Sequence, residues 1–272
     1  MPNLKPTLRR LRFREQTVRR LAVWWRYRSA DLNQEDAFLV SYPRSGTTWL
    51  RFLLFEALTN KSPGFGSIKE AVPSLTKHHH AAVVLGQRGR LIQSHETFSD
   101  GDRRIIYAVR DARSVALSEY QWQRRLGLEP GSLDRFIADF TRGRSNPWGP
   151  WDQHVQYWLA SEPARLDHLH LIKFEDLRRD TVGTLRLALS FLGVEMTIEE
   201  LRSVVDNNSV ERMRTKEDDA RERGWRSRAR PDIRFVNQGR SEGWRNELNP
   251  QQIKAIETRF QPTLERLGYL SS

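Results

Sequence analysis

Short apolar runs alternate along the chain with segments that have a helical apolar rhythm. Four runs, at 37–41, 90–94, 104–109 and 169–174, have the length and the polar flanks of buried strands. Helical spacing of apolar residues follows the first run, from Leu50 to Leu58. Strands that alternate with helices are typical of a parallel sheet covered on both faces. The pattern therefore predicts a three-layer α/β/α domain with a central parallel sheet.

The pattern also predicts where two helices begin. Asp111 is a favoured cap for a helix over 113–125. Asn249 is a favoured cap for the last helix, and Pro250 suits its first position. That helix has apolar residues three or four apart, which predicts packing on the core: Ile253, Ile256, Phe260, Leu264 and Leu267.

The most specific local pattern is the polar turn after the first predicted strand. Residues 42–49 read Y-P-R-S-G-T-T-W and lead into the next helix. Such a turn directs backbone N–H groups and hydroxyls outward at a helix N-terminus, where the helix dipole favours anions. Gly46 allows a close approach of the main chain, and Arg44 contributes a permanently charged planar donor. The turn therefore predicts a site for a phosphate or sulfate group.

The turn differs from the Walker A loop, G-x-x-x-x-G-K-[ST], because its cation precedes the glycine. It closely resembles the 5′-phosphosulfate-binding loop of the sulfotransferases that use PAPS (3′-phosphoadenosine 5′-phosphosulfate), usually Y-P-K-S-G-T-T-W. The resemblance covers residues 36–246 and implies a P-loop-like strand-loop-helix, with Arg44 stabilising charge on the bridging oxygen. It implies a 5′-phosphate site made of Ser45, Gly46, Thr47 and Thr48, with Trp49 beside the adenine.

A candidate general base follows the second predicted strand, at the strand end where open α/β folds place their chemistry. Residues 93–95 read Gln-Ser-His, where the family usually has K-x-H. The resemblance implies that His95 takes the proton of an acceptor hydroxyl or amine. Gln93 replaces the lysine of the family pattern. Glu96 is the alternative base if His95 points away.

The third predicted strand ends at Arg110, and Ser118 lies eight residues later, inside the predicted helix over 113–125. A chain that folds back from strand to helix can bring both side chains to one anion. The family's grip on the 3′-phosphate has this spacing. The resemblance therefore implies that Arg110 and Ser118 bind the 3′-phosphate of PAPS and of its desulfated product, PAP.

Two weaker matches imply further contacts with the nucleotide. Residues 208–213 resemble the family's T-S-F-x-x-M, with Ser209 and Met213 carried over. Residues 235–245 resemble R-K-G-x-x-G-D-W-K, which implies nucleotide contacts for Gln238, Gly239 and Arg240.

The largest departure from the family pattern lies in this last segment. Asn237 and Gln238 stand where the family has arginine and lysine, so charge assistance to the 3′-phosphate is lost there. Arg234 or Arg240 could substitute. The preceding residues, 214–234, are charged and poorly periodic, which predicts a mobile loop that orders over the cosubstrate.

The 272 residues are predicted to form one sulfotransferase domain over 36–272, after a basic helical extension over 1–35. The extension has arginines and apolar residues at helical spacing. It would either lie on an acidic membrane surface or pack on the domain. No run approaches a membrane span in length, and no secretory signal is present. We therefore expect a cytoplasmic protein, with peripheral membrane contact through the extension as the alternative.

Lysine and arginine number 45 against 34 acidic residues, a formal net charge of +11 that attracts polyanions. Nucleic acid and a nucleotide with two phosphates and a sulfate would both benefit. The basic residues concentrate at 9–28 and 212–240, and no nucleic-acid motif is present, so nucleic acid is not expected. The chain has no cysteine, and the adjacent histidines 78–80 lack metal-ligand spacing. No metal is therefore expected.

The resemblance implies sulfuryl transfer to a small-molecule, lipid or carbohydrate acceptor. Two alternatives stay open. A P-loop-type kinase would use a similar turn, but the GK[ST] lysine and a second acidic strand end for Mg²⁺ are missing. A catalytically inactive PAPS-binding homologue would fit the amides Asn237 and Gln238. The acceptor and the oligomeric state are not predicted.

Overall fold

The computed structural model describes residues 32–75, 81–98, 103–225, 234–236 and 242–270. The predicted extension over 1–35 therefore lies almost wholly outside the described residues. The same holds for three predicted nucleotide contacts: Gln238, Gly239 and Arg240.

A sheet of four parallel strands forms the centre of the domain. The strands are β1 (Ala37–Ser41), β2 (Leu91–Ser94), β3 (Ile105–Val109) and β4 (Leu169–Lys173). Their order across the sheet is β2-β1-β3-β4. In the register of β1, Leu39 is level with Gln93 and with Ile106. The predicted parallel sheet is thus confirmed, with strand ends within one residue of those predicted.

Helices connect and cover the strands. In chain order they are α1 (Thr47–Thr59), α2 (Ile68–Ala71), α3 (Ala112–Arg125), α4 (Leu133–Thr141), α5 (Trp151–Leu159), α6 (Glu162–Arg165), α7 (Phe174–Arg179), α8 (Thr181–Phe191), α9 (Ile198–Asn207), α10 (Val210–Glu222), α11 (Trp244–Glu247) and α12 (Pro250–Arg266). The predicted caps are present, because Asp111 accepts the N–H of Arg113 and Asn249 accepts the N–H of Gln252. Within the described ranges, no helix combines the length and the apolar character needed to cross a membrane.

The hydrophobic core lies on both faces of the sheet. Side chains of β1 alternate, so that Phe38 and Val40 join one core cluster while Ala37 and Leu39 join the other. The first cluster packs against α3, α4, α5 and α12, and the second against α1, α8, α9 and α10. The predicted three-layer α/β/α architecture is confirmed.

The prediction of a mobile loop over 214–234 is wrong for its first part, because α10 continues to Glu222. Composition is misleading here, since a narrow buried stripe holds the helix on the domain: Met213, Glu217 and Ala220. These positions have the i, i+4, i+7 spacing of one helix face. Residues 226–233 lie outside the described part of the chain.

Candidate active site

The sheet topology creates a crevice at the carboxyl ends of three strands. β1 lies between β2 and β3, and α1 leaves β1 toward one face while α3 leaves β3 toward the other. Open α/β sheets bind ligands at such a switch point. Because the strands are parallel, the turn after β1, His95 after β2 and Arg110 after β3 meet at the same edge.

The turn after β1 has an unusual backbone. Arg44 has φ +70° and Gly46 has φ +88°, both in the left-handed region. A Cβ atom added to Gly46 would lie 2.3 Å from Cδ2 of Phe174. Only glycine therefore allows α1 to start this close to α7. Arg44 holds a conformation that is uncommon for a residue with a side chain, a feature that clusters at functional sites.

The structure brings Arg44, Ser118 and Arg110 together. The Nε of Arg44 donates to Ser118 Oγ at 3.2 Å, and Arg110 donates to the carbonyl oxygen of Arg44 at 3.3 Å. The guanidinium of Arg44 also lies over the ring of Trp122, 4.8 Å from its centroid. The structure thus places residues predicted to bind the two ends of the nucleotide in one cationic cluster.

Burial determines the ionisation of these arginines. Burial lowers the pKa of Arg44 to about 10, partly opposed by the Glu119 carboxylate and reinforced by the charges of Arg110 and Arg125. Burial also lowers the pKa of Arg110, opposed by Glu175. Among the described residues, no carboxylate lies within ion-pair distance of Arg44. A bound anion would supply the missing countercharge.

Ser45 tests most clearly whether the turn fits an anion. Its Oγ is buried and has no hydrogen-bond partner among the described residues. Buried hydroxyls are normally paired, so an orphaned one beside a cation fits an anionic oxygen. The neighbouring Thr47 hydroxyl is instead bonded to that of Ser41. The donor set of the turn therefore fits the phosphosulfate of PAPS.

His95 lies next to this turn with a defined tautomer. Its Nδ1 is 2.7 Å from the carbonyl oxygen of Ser41, and a carbonyl can only accept. Nδ1 therefore carries the proton in the neutral ring, and Nε2 keeps its lone pair. The ring also packs edge-on against Trp148, at 5.5 Å between centroids. Such a histidine can act as a base through Nε2.

A second histidine, His154, holds the main chain of His95. Nε2 of His154 donates to the carbonyl oxygen of His95 at 3.1 Å, and the Tyr107 hydroxyl donates to Nδ1 of His154 at 2.9 Å. Burial lowers the pKa of His154 to about 3, so its ring is neutral. His154 lies on the aromatic helix α5, four residues before Trp158, and is buried there.

The predicted adenine contacts gather around the start of α10. Trp49 Nε1 donates to the carbonyl oxygen of Asn208 at 2.8 Å, and Ser209 caps α10 by accepting the N–H of Arg212 at 3.3 Å. Met213 is 4% exposed and belongs to the hydrophobic core. The structure thus places Trp49 and Ser209 at the same edge, with the Met213 side chain packed behind them.

Sequence reasoning missed the buried side chain of Asn208, which fixes the start of α10 beside Trp49. The amide of Asn208 is fully buried, donates to Glu56 at 3.0 Å and to the carbonyl oxygen of Val204 at 2.8 Å, and accepts from Lys216 at 2.8 Å. This network fixes the carbonyl that positions Trp49. Within the described ranges, no group of three or more His, Cys, Asp or Glu side chains could hold a metal ion.

The fold and the site define an α/β protein with a polar, cationic turn at a switch point of its parallel sheet. The sulfotransferase domain model matches residues 34–268, and the chain therefore belongs to the sulfotransferase family. It is a sulfotransferase.

Curated relatives agree with this assignment. The chain is 27% identical to sulfotransferase 2A6 of Rattus norvegicus over 243 residues, which are 85% of this chain and 84% of the relative. It is 28% identical to sulfotransferase 2B1 of Homo sapiens over 200 residues, which are 68% of this chain and 53% of the relative.

Solved structures share the fold at lower identity. A retinol dehydratase in complex with androsterone and the inactive cofactor PAP has a TM-score of 0.69 at 20% identity, covering 86% of this chain and 81% of that one. Mouse sulfotransferase SULT7A1, complexed with PAP, has a TM-score of 0.67 at 22% identity and covers 87% of each chain.

Proposed function

We propose that this protein transfers the sulfuryl group of PAPS to the hydroxyl or amine of an acceptor by in-line displacement, with His95 as general base. One observation carries the proposal. At one edge of the sheet, a histidine whose Nδ1 donates to the carbonyl oxygen of Ser41, so that Nε2 is its basic nitrogen, adjoins a turn that holds Arg44 and the orphaned hydroxyl of Ser45. A base beside an anion site is what sulfuryl transfer requires, because positioning and charge stabilisation dominate such displacements.

The turn is proposed to hold the 5′ end of the nucleotide. When bound, PAPS supplies the sulfuryl group and a phosphate as leaving group. The hydroxyl of Ser45 and the N–H groups at the start of α1 would bind oxygens of that phosphate, together with Gly46, Thr47 and Thr48. Arg44 would stabilise the charge that develops on the bridging oxygen. Its pKa of about 10 leaves it protonated at neutral pH.

His95 is proposed to take the proton of the acceptor at Nε2. The hydrogen bond from Nδ1 to the carbonyl oxygen of Ser41 orients the ring and would stabilise the imidazolium that forms. Glu96 is the rival base, and its backbone N–H donates to Ser94 Oγ at 3.0 Å. His95 is preferred because its contacts with Ser41 fix it directly against the anion-binding turn.

The other end of the nucleotide is proposed to bind along α3 and the start of α10. Arg110 and Ser118 would hold the 3′-phosphate, since both contact Arg44 and lie at the same edge. Trp49 would lie beside the adenine, near Ser209 and with Met213 behind. Gln238, Gly239 and Arg240 remain proposed contacts on sequence grounds. Arg234 is bonded to Asp218 at 2.9 Å, which makes it a weaker substitute for the missing cations.

The acceptor is proposed to be a small molecule with a hydroxyl group. A structural neighbour binds androsterone, and a second structure of retinol dehydratase holds retinol. In this chain the aromatic ring of Trp148 adjoins His95, which suits an apolar acceptor. We place the reaction in the cytoplasm, and membrane contact through residues 1–35 remains a further hypothesis.

Calorimetric titration with PAP tests the nucleotide site. The natural protein should bind PAP with micromolar affinity, and Arg110→Ala should abolish that binding because Arg110 is assigned to the 3′-phosphate. Arg202→Ala is the matched control, since Arg202 is an exposed arginine on α9 and its removal changes the net charge equally. Absence of PAP binding by the natural protein would leave the sulfotransferase mechanism without its cosubstrate. Activity that depends on a divalent metal would favour the kinase alternative.

A further inference from the structure

An aromatic cluster lies beside Arg44, and it is formed by Phe65, Trp122, Trp225 and Phe235. The rings of Phe235 and Trp122 meet edge to face at 5.7 Å between centroids. Phe235 also contacts Phe65 at 5.6 Å, and Phe65 contacts Trp225 at 5.2 Å. Trp122 is the member that reaches the active site, because the guanidinium of Arg44 lies over its ring at 4.8 Å.

A buried carboxylate holds Phe235 in this cluster. Glu217 on α10 is fully buried and accepts the backbone N–H of Phe235 at 2.6 Å and that of Val236 at 2.8 Å. Arg221 donates to the same carboxylate at 2.6 Å and neutralises its charge. Hydrogen bonds to a charged group are about twice as strong as neutral ones. Glu217 therefore anchors residues 234–236 by their main chain.

We propose that Glu217 and Phe235 are positioning residues that hold Trp122 as a platform for Arg44 of the phosphosulfate turn. The chain of contacts runs from the Glu217 carboxylate to the backbone of Phe235, then from the Phe235 ring to Trp122, and from Trp122 to the guanidinium. The proposal rests on the nucleotide-binding role proposed above for Arg44.

Arg44 lies among charges that do not pair with it directly. The Glu119 carboxylate raises the pKa of Arg44 and the charges of Arg110 and Arg125 lower it, but no carboxylate among the described residues lies within ion-pair distance. Direct contacts with Trp122 and Ser118 therefore orient the side chain. A face of tryptophan attracts a guanidinium and presents it flat, and the bond from Nε to Ser118 then fixes its rotation.

The same geometry distinguishes arginine from lysine at position 44. Lysine has no Nε to donate to Ser118 and no planar group to stack on Trp122. This protein has arginine where the family pattern has lysine, and Trp122 gives that exchange a physical basis. Trp122 should therefore matter to nucleotide binding only when residue 44 is arginine.

A double-mutant cycle tests the proposal, with PAP affinity measured by calorimetry. Trp122→Leu and Arg44→Lys are made singly and together, because coupled residues have non-additive effects. Trp122→Leu should weaken PAP binding about fivefold to thirtyfold. In the Arg44→Lys background, the same change should weaken binding less than about twofold. Trp122→Phe should restore most of the affinity, since it keeps an aromatic face.

Glu217→Gln and Phe235→Leu test the part of this series of contacts that lies farthest from Arg44. Both substitutions should weaken PAP binding when residue 44 is arginine. Two controls leave the aromatic cluster untouched. Asp218→Asn removes the exposed ion pair with Arg234, and Arg202→Ala removes an exposed arginine of α9. Both controls should keep PAP affinity within about twofold. Thermal unfolding of each variant shows whether it is folded.

Three outcomes are distinguishable. Natural protein that binds PAP, together with a coupled cycle and neutral controls, supports the proposal. If the natural protein binds PAP but the effects of Trp122→Leu and Arg44→Lys on PAP affinity are additive, the inference is overturned and the proposed function is left intact. Natural protein that does not bind PAP overturns the proposed function, and this inference with it.

Discussion

At the scale of single residues, the chemistry depends on which nitrogen of His95 carries the proton. The carbonyl oxygen of Ser41 accepts from Nδ1 at 2.7 Å, which leaves Nε2 as the basic atom. His154 holds the His95 main chain at 3.1 Å and stays neutral because burial lowers its pKa to about 3. The base is thus oriented by the backbone carbonyl of Ser41, which holds its ring, and by the His154 side chain, which holds its main chain.

We expect His95→Ala to reduce turnover about 10²-fold or more, because a positioned general base contributes ~10²–10⁴-fold. PAP affinity should be unchanged, since His95 is not assigned to the nucleotide. Steady-state rates with an acceptor that supports turnover, together with PAP calorimetry, measure both effects. Glu96→Gln is the matched control and should keep most of the activity. If His95→Ala keeps near-normal turnover and Glu96→Gln is inactive, the general base is Glu96.

At the scale of elements, the turn between β1 and α1 determines how closely Gly46, Phe174 and Arg110 approach one another. Gly46 has φ +88° and leaves no room for a Cβ atom, which would lie 2.3 Å from the ring of Phe174. The same ring lies under Arg110, whose guanidinium is 4.5 Å from its centroid. A displacement of Phe174 would therefore disturb the proposed sites of both phosphates.

We expect Gly46→Ala to abolish PAP binding and to destabilise the fold by more than Gly127→Ala. Both glycines have positive φ, so alanine is strained at either position by ~1 kcal/mol. Only at Gly46 does the added Cβ collide, because Gly127 has no atom within 4 Å. Chemical denaturation and PAP calorimetry of the two variants separate backbone strain from the collision. Equal stability of the two variants would count against a tight fit at Phe174.

At the scale of the whole molecule, a buried polar chain crosses the domain from β3 to the active-site edge. Tyr107 on β3 donates to His154 on α5, and His154 donates to the carbonyl oxygen of His95 after β2. This chain ties the α5 layer to the strand ends, so the position of the base depends on the packing of the whole domain. A neutral imidazole is required, since Nδ1 must accept from the tyrosine.

We expect acid to destabilise the protein through His154. Its pKa is near 6.5 in an unfolded chain and about 3 in the folded protein. Between these values the unfolded state binds more protons, so stability falls as pH falls, by up to ~1.4 kcal/mol per pH unit. His154→Gln keeps a donor and an acceptor but cannot titrate. The free energy of unfolding, measured from denaturation curves between pH 7 and pH 4, should therefore fall more steeply with falling pH for the natural protein than for this variant.

The local patterns of the sequence were sufficient for much of the fold. Apolar runs predicted all four strands to within a residue at either end, because a buried parallel strand must be apolar on both faces. The caps Asp111 and Asn249 marked the starts of α3 and α12 for an equally local reason. The loop predicted over 214–234 is wrong up to Glu222 because three buried side chains, one of them the carboxylate of Glu217, hold α10 on the domain, which composition cannot reveal.

The sequence by itself determined the family, and it predicted the anion-binding turn at 42–49 and two candidate bases, His95 and Glu96, because these depend on residue types at fixed local spacing. Only the tertiary structure decided which nitrogen of His95 is basic, that Arg44 contacts both Ser118 and Trp122, and that Glu217 supports the cluster beside them. The contacts of His95 and Arg44 join residues 54 to 78 positions apart, and the contact between Glu217 and Phe235 joins residues 18 positions apart. Their strength comes from burial and mutual orientation, which exist only once the strand ends are brought to one edge of the sheet.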